Sequence, residues 1–287
     1  MARPALVPVE HGGRSGPVNR QLASVVQRWI ALICLLGVWE LAARSAHDVH
    51  FPPPTKIAAQ GFELWFTGPA SQLFLTKTWF DDIGPSLARA LGGWLLAAVI
   101  GIVLGTALGR SRTGMDYVGP IFAFIRTIPP VTLIPVFLVL FGIYTEMKLA
   151  TIIFGTVWPI LLNTVDGVRS VDPLQADTAR SFRTPRHRWI VFVVLPAALP
   201  KIFAGLRLSL SIALLLMVVS ELVGRTSGIG YQLIFAQRQF DFTIMWAWIV
   251  LLGILGYALN ALLLMVERRV LGWQPSRHTE RSLAVGG

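Results

Sequence analysis

Residues 90–109 read ALGGWLLAAVIGIVLGTALG, twenty consecutive positions without a charge. About 20 helical residues cross the hydrocarbon core of a bilayer, so this stretch predicts a transmembrane helix. Gly93, Ala97, Gly101, Gly105 and Gly109 recur within it at a spacing of four, on one slowly drifting face. Small residues on a shared face let a second helix backbone approach closely. That face is read either as tight packing inside the subunit or as the lining of an interface or pathway. A shorter stripe, Gly205, Ser209 and Ala213, repeats the pattern further on.

Outward from this helix, further runs extend the reading. Thr127–Thr145, Leu149–Val165 and Phe242–Val266 are uncharged runs of comparable length. Trp29–Ala43 holds only Glu40. Ile202–Gly224 holds Arg207 and Glu221 near its two ends, where long side chains can snorkel to the interface. The count is six spans, which makes the chain an all-α polytopic membrane protein with both termini on one side. Over the whole 287 residues, 54% are apolar and 14% charged, against about 25% charged in a soluble domain. This balance excludes a disordered chain, a collagen-like fibre and a disulfide scaffold. Continuous rather than alternating apolar runs also argue against an outer-membrane barrel. Cys34, the single cysteine, has no partner for an internal disulfide and reads as a small hydrophobe.

The net charge of +10 lies between the apolar runs, a placement that fits the positive-inside rule better than nucleic-acid binding. With the N-terminus inside, the inner segments hold 17 Lys and Arg and the outer ones 7, Arg126 being left out as lying within a span. Both termini are therefore expected in the cytoplasm, with the protein in the cell inner membrane. Residues 1–24 and 271–287 read as loose cytoplasmic tails around a membrane domain over 25–270. An outer segment, 44–84, opens with Phe51-Pro52-Pro53-Pro54. Ile57–Phe66 follows as a short interfacial helix carrying Phe62, Trp65 and Phe66.

The third span is irregular. Pro120, Pro129, Pro130 and Pro135 each lack an N–H and crowd the preceding turn. Irregular backbone at membrane depth survives only where protein or a water-filled cavity covers it. Arg126, Pro129, Pro130 and Thr132 are therefore candidates for the wall of a translocation path, with a packed kink as the other reading. Arg126 would favour an anionic solute there, or it snorkels to the inner surface. Asn163, beside Thr164 and near Pro159, joins the candidates and also reads as an interhelical hydrogen-bonding position.

The inner loop, 166–201, carries the sharpest signal. Asp172-Pro173-Leu174-Gln175 reads as a cap, a first-turn proline and a capping-box spacing. Helix formers run to Arg183, and Thr184-Pro185 reads as the cap and first position of a second short helix. Ala176 and Ala179 offer a small flat surface beside Asp177, Arg180 and Arg183. Pro196 and Pro200 are expected to end the loop. A basic loop resting on anionic lipid would need neither capped helices nor a small-residue face, so the loop is read as a docking element for another protein.

Asp177-Thr178-Ala179-Arg180-Ser181-Phe182-Arg183 followed by Leu195-Pro196-Ala197-Ala198-Leu199-Pro200-Lys201-Ile202-Phe203-Ala204-Gly205-Leu206-Arg207 resembles the "EAA" loop of binding-protein-dependent ABC importer permeases. Residues 50–270 resemble the nitrate/sulfonate/taurine/bicarbonate branch, through Phe51-Pro52-Pro53-Pro54, Ile128-Pro129-Pro130, Pro159-Ile160-Leu161-Leu162-Asn163-Thr164, Ser220-Glu221-Leu222 and Gly228-Ile229-Gly230-Tyr231. The family's Glu-Ala-Ala is Asp177-Thr178-Ala179 here, and its following glycine is Arg183. Glycine adopts a positive φ freely and arginine rarely does, so the backbone angle at Arg183 is left open.

The resemblance implies a type I ABC importer permease fold and a non-catalytic transport subunit. It implies pairing with a second copy, most simply as a homodimer, on two cytoplasmic ATP-binding subunits fed by an extracytoplasmic solute-binding protein. ATP and Mg would be bound by the ATPase; no cofactor, no metal and no nucleic acid is expected on this chain. The ATPase-coupling residues would be Gln175, Ala176, Asp177, Thr178, Ala179, Arg180, Phe182, Arg183, Thr184 and Pro185. The residues agree that this chain hydrolyses nothing: no Lys follows a Gly, so there is no P-loop. A secondary transporter or channel is the alternative. It would place paired ionisable residues at membrane depth, and the inner runs show almost none. An intramembrane enzyme would need a convergent set of reactive groups, and none of the five His lies in a span.

Overall fold

Prolines shape the long helices of this chain more than any other residue type. The computed structural model describes residues 17–223 and 227–273, with side chains from residue 29 onward. Residues up to Ala59 cluster as one compact unit and those from Gln60 as a second.

In the first unit, α1 (Pro17–Ala46) reaches back to Pro17, so positions 17–24 are helical rather than part of a loose tail. Pro17 suits a first helical turn, and no Gly or Pro interrupts the chain before Gly37. The residues before it, and the tail after Trp273, lie outside the described residues. Glu40 ties the end of α1 to the start of α2 (Pro54–Phe66). Its carboxylate accepts from Arg44 Nε at 2.7 Å, from Thr55 Oγ1 at 2.7 Å and from the Thr55 N–H at 3.1 Å.

The second unit is built on α3 (Gly84–Gly109), α6 (Thr145–Arg169) and α9 (Leu195–Val223). The glycine stripe of α3 faces α6. A methyl group at Gly101 would stand 2.9 Å from Ile160 Cγ2, and one at Gly105 would stand 2.7 Å from Thr164 Cβ. The stripe thus packs helices within the subunit. Gly205 of α9 lies equally close to Asn163 Cβ and the Pro159 carbonyl of α6. Where α3 crosses α9, Trp94 Nε1 donates to Ser209 Oγ at 2.9 Å. Alongside lie α10 (Ile229–Arg238) and α11 (Phe242–Val270), and Trp248 of α11 meets Trp65 edge-on at 5.7 Å between centroids.

Among the described residues, five stretches are long and apolar enough to cross a membrane, and a bent pair makes a sixth. The pair is α4 (Arg112–Ile125) with the Pro130–Leu133 turn and α5 (Ile134–Phe141), bent by 78°. The third span is therefore not one run over 127–145. It starts at Arg112, where Ser111 Oγ accepts from the Gly114 N–H at 2.9 Å, leaving little of an inner loop at 110–116. Pro129 and Pro130 supply no N–H to continue α4, which closes instead as the Arg126 N–H donates to the Phe122 carbonyl.

Two other prolines are absorbed. A π turn at Trp79–Ile83 precedes Pro85, and another at Ile190–Val194 precedes Pro196. In each, the residue just before the proline donates to a carbonyl five residues back, Gly84 to Trp79 and Leu195 to Ile190. The widened turn takes up the bonding that a proline ring would otherwise disrupt. Helix α8 (Arg186–Trp189) consequently runs through its π turn into α9. Pro196 and Pro200 do not end the loop as expected; both lie inside α9.

Candidate functional site: a projecting helix, a broken span and a buried ion cluster

The loop between α6 and α8 folds into α7 (Pro173–Ser181), capped at both ends. The Asp172 carboxylate accepts from the Leu174 N–H at 2.9 Å, satisfying one of the donors a helix start leaves free. At the far end the Thr184 N–H donates to the Ala179 carbonyl at 2.9 Å, and the Arg183 N–H to the Arg180 carbonyl at 3.0 Å. This pair of bonds is a Schellman closure, which calls for a left-handed residue between them. Arg183 takes that role, with φ +49°. Thr184 therefore ends α7 instead of capping α8. The residue before α8 is Pro185, without a side-chain cap bond.

Gln175, Thr178, Ala179, Phe182 and Thr184 line one groove of about 760 Å³ together with Trp189, Phe192 and Trp273. Ala176 and Ala179 are half-buried, so they do not form the exposed flat surface expected of them. The exposed apolar groups are Leu174 (71%) and Phe182 (80%), one at each end of α7. Leu174 was legible only as an apolar residue in a polar loop. Asp177 and Arg180 pair with each other at 3.0 Å, both exposed.

Of the path candidates, Arg126, Pro129, Pro130 and Thr132 share the break between α4 and α5. Arg126 is exposed at the end of α4, and Thr132 Oγ1 donates to the Pro129 carbonyl at 2.7 Å. Pro130 packs on α6 at Gly155. Asn163 lies eight residues further along α6, roughly 12 Å at 1.5 Å per residue. Its Nδ2 donates to the Pro159 carbonyl at 2.8 Å, and Thr164 Oγ1 donates to the Ile160 carbonyl at 2.7 Å. Both bond within their own helix, not across helices as expected.

The sequence reading missed a polar cluster where α3, α6, α9 and α10 meet. Glu221 is fully buried, and its carboxylate accepts from Ser86 Oγ at 2.7 and 2.9 Å and from the Gly230 N–H at 3.0 Å. Arg89 Nη2 faces it as an ion pair at 3.2 Å. Lys148, 1% exposed, lies within electrostatic reach of both. Asp82, also buried, accepts from the Gly228 N–H at 2.8 Å and from Gln232 Nε2 at 2.8 Å. The Ile229 N–H donates to Ser86 Oγ at 3.0 Å. Gly228 sits at φ +123° against the Glu221 carboxylate, a place that only glycine fits. Singly, Arg89, Lys148 and Glu221 read as charges at span ends. Glu221 does not snorkel, and Arg89 and Lys148 do not belong to solvated outer loops. Arg207, near the middle of α9, does not sit at a span end either; it pairs with Glu267 of α11.

The bundle thus combines helices long and apolar enough to span a membrane with one exposed helix, α7, capped at both ends. The chain belongs to the family of binding-protein-dependent transport system inner membrane components, whose pattern matches residues 97–272. It is similar to the putative aliphatic sulfonates transport permease protein SsuC of Bacillus subtilis (strain 168), 35% identical over 71% of this chain and 74% of that one. It is also similar to the nitrate import permease protein NrtB of Leptolyngbya laminosa, 28% identical over 88% and 90% of the two chains. Among solved structures, the methionine ABC transporter MetNI in an inward-facing conformation shares the fold. Its TM-score is 0.58 at 22% identity, over 66% of this chain and 94% of that one. The protein is thus a non-catalytic ABC importer permease of the type I fold.

Proposed function

We propose that this permease moves a small anion, such as an alkyl sulfonate, nitrate or bicarbonate, into the cytoplasm. The named solutes of its relatives support the reading: SsuC is named for aliphatic sulfonates and NrtB for nitrate. Both are compact anions, and an exposed Arg126 at the broken span suits that charge. The chain pairs with a second copy, rests on two ATP-binding subunits that hold ATP and Mg, and receives solute from an extracytoplasmic binding protein. Both termini and α7 lie on the cytoplasmic side of the inner membrane, and the Glu221 cluster lies at the outer end. The distribution of Lys and Arg, 17 inner against 7 outer of which Arg89 and Lys148 are buried, supports this orientation. The capped, projecting α7 is the element that meets the ATPase.

Uptake into vesicles holding the reconstituted complex tests the solute class. Sulfonates, nitrate and bicarbonate are compared with a neutral amino acid and a cation. Saturable uptake of one of the anions is expected. Transport of only the neutral or cationic solute would overturn the anion reading.

A further inference from the structure

The Glu221 cluster joins four elements that are far apart in the chain. Ser86 and Arg89 lie on α3, Lys148 on the first turn of α6, Glu221 at the end of α9, and Gly228–Gly230 at the start of α10. Its charges are buried, and a buried charge that loses its partner is left without solvent to replace it. The cluster therefore opposes separation of the four elements.

Helix α6 gives it reach. The helix runs unbroken from Thr145 to Arg169. Lys148 and Arg169 are 21 residues apart, roughly 32 Å at 1.5 Å per residue. Along the way α6 is held against the glycine stripe of α3, and its Gly167 packs against Ala198 of α9. Three residues beyond Arg169, Asp172 caps α7.

We infer that Glu221 is a positioning residue for transport: its carboxylate clamps the start of α10 to α3, which packs along α6, so that α10 and the α7-bearing end of α6 form the two ends of one lever. A load applied at α10 reaches the Arg169 end of α6, and α7 follows after the three residues Ser170, Val171 and Asp172. This rests on the reading that α7 meets the ATPase and that the opposite end faces the binding protein.

The assembled complex of permease, ATPase and solute-binding protein tests it through basal hydrolysis, binding-protein-stimulated hydrolysis and solute moved per ATP. Glu221→Gln leaves Arg89 without its ion-pair partner and can lower assembly. The paired variant Arg89→Gln with Glu221→Gln removes both charges together. In assembled complexes of either variant, basal hydrolysis is expected near wild type. Stimulation by the binding protein is expected to fall fivefold or more, with partial recovery in Glu221→Asp. Wild-type stimulation and stoichiometry in the assembled paired variant would overturn the lever, because a merely structural cluster lowers yield without changing that ratio.

Amide hydrogen exchange on the unmodified complex gives a second check that requires no variant. The Gly228, Ile229 and Gly230 amides, which donate into the cluster, should stay protected in both resting and nucleotide-trapped states. Loss of protection in either state would mean the clamp opens, and the lever would fail. Ala179→Trp separates this inference from the docking reading. If that variant binds the ATPase normally, α7 is not the contact, whatever Glu221 does.

Discussion

The Thr184 N–H donates to the Ala179 carbonyl at 2.9 Å across an Arg183 held at φ +49°. The closure of α7 thus depends on a left-handed arginine. A non-glycine residue in that conformation costs roughly 1–2 kcal/mol. The resembled family carries glycine at this position, where the angle costs little.

Arg183→Gly should accordingly stabilise the end of α7 by about 1 kcal/mol, and Arg183→Val, β-branched and poorly suited to positive φ, should loosen it. Exchange at the Thr184 amide is the measurement. Slower exchange in the glycine variant and faster exchange in the valine variant are expected, and the reverse order would contradict the Schellman closure.

Ala179 lines the groove beside Phe182 and Thr184. Ala179→Trp should overpack the joint at roughly 1–3 kcal/mol and weaken co-purification of the ATPase while leaving the permease in the membrane. Asp177→Lys replaces one half of an exposed pair with Arg180 and sets like charges together. It should reduce solute-stimulated hydrolysis. Wild-type values of both measurements in both variants would remove α7 as the coupling element.

The glycine stripe gives a graded test. A methyl at Gly105 would press on Thr164 and on the Leu161 carbonyl at 2.8 Å, whereas Gly253 has nothing within 4 Å. Gly105→Ala should cost roughly 1–3 kcal/mol through overpacking, and Gly253→Ala should be neutral or slightly stabilising for a helix interior. Thermal unfolding in detergent compares the two.

Arg126→Gln tests the broken span. Anion uptake should fall while complex assembly and basal ATP hydrolysis persist, because Arg126 stands exposed at the end of α4. Unchanged transport kinetics would return it to the interface.

Orientation is tested with cysteines at Ser71 and Ser181 in a Cys34→Ser background. An impermeant thiol reagent added outside should label the first and spare the second. Labelling of Ser181→Cys from outside would invert the topology.

Much of the bundle was legible because burial in lipid writes itself locally, as twenty uncharged residues around Gly101. Asp172 was legible for the same reason: a cap acts within three residues. The Glu221 cluster was not. Arg89, Lys148 and Glu221 each stand near the end of an apolar run, where a lone charge ordinarily reaches water, and their pairing depends on three helices meeting. The bend after Arg126 was signalled by Pro129 and Pro130. The passage of α9 through Pro196 and Pro200 was not, because a proline and the π turn that accommodates it are read together only in three dimensions.

The π turn at Ile190–Val194 has a directional effect. It places one more residue in the turn than an α-helix would, and each residue turns an α-helix by about 100°. The segment ahead of it is therefore rotated about its own axis relative to α9. Trp189, which lines the groove with Phe182, owes its azimuth to that surplus residue. Deletion of Ile190, Val191 or Val194 would swing Trp189 away from α7 without removing any side chain that lines the groove.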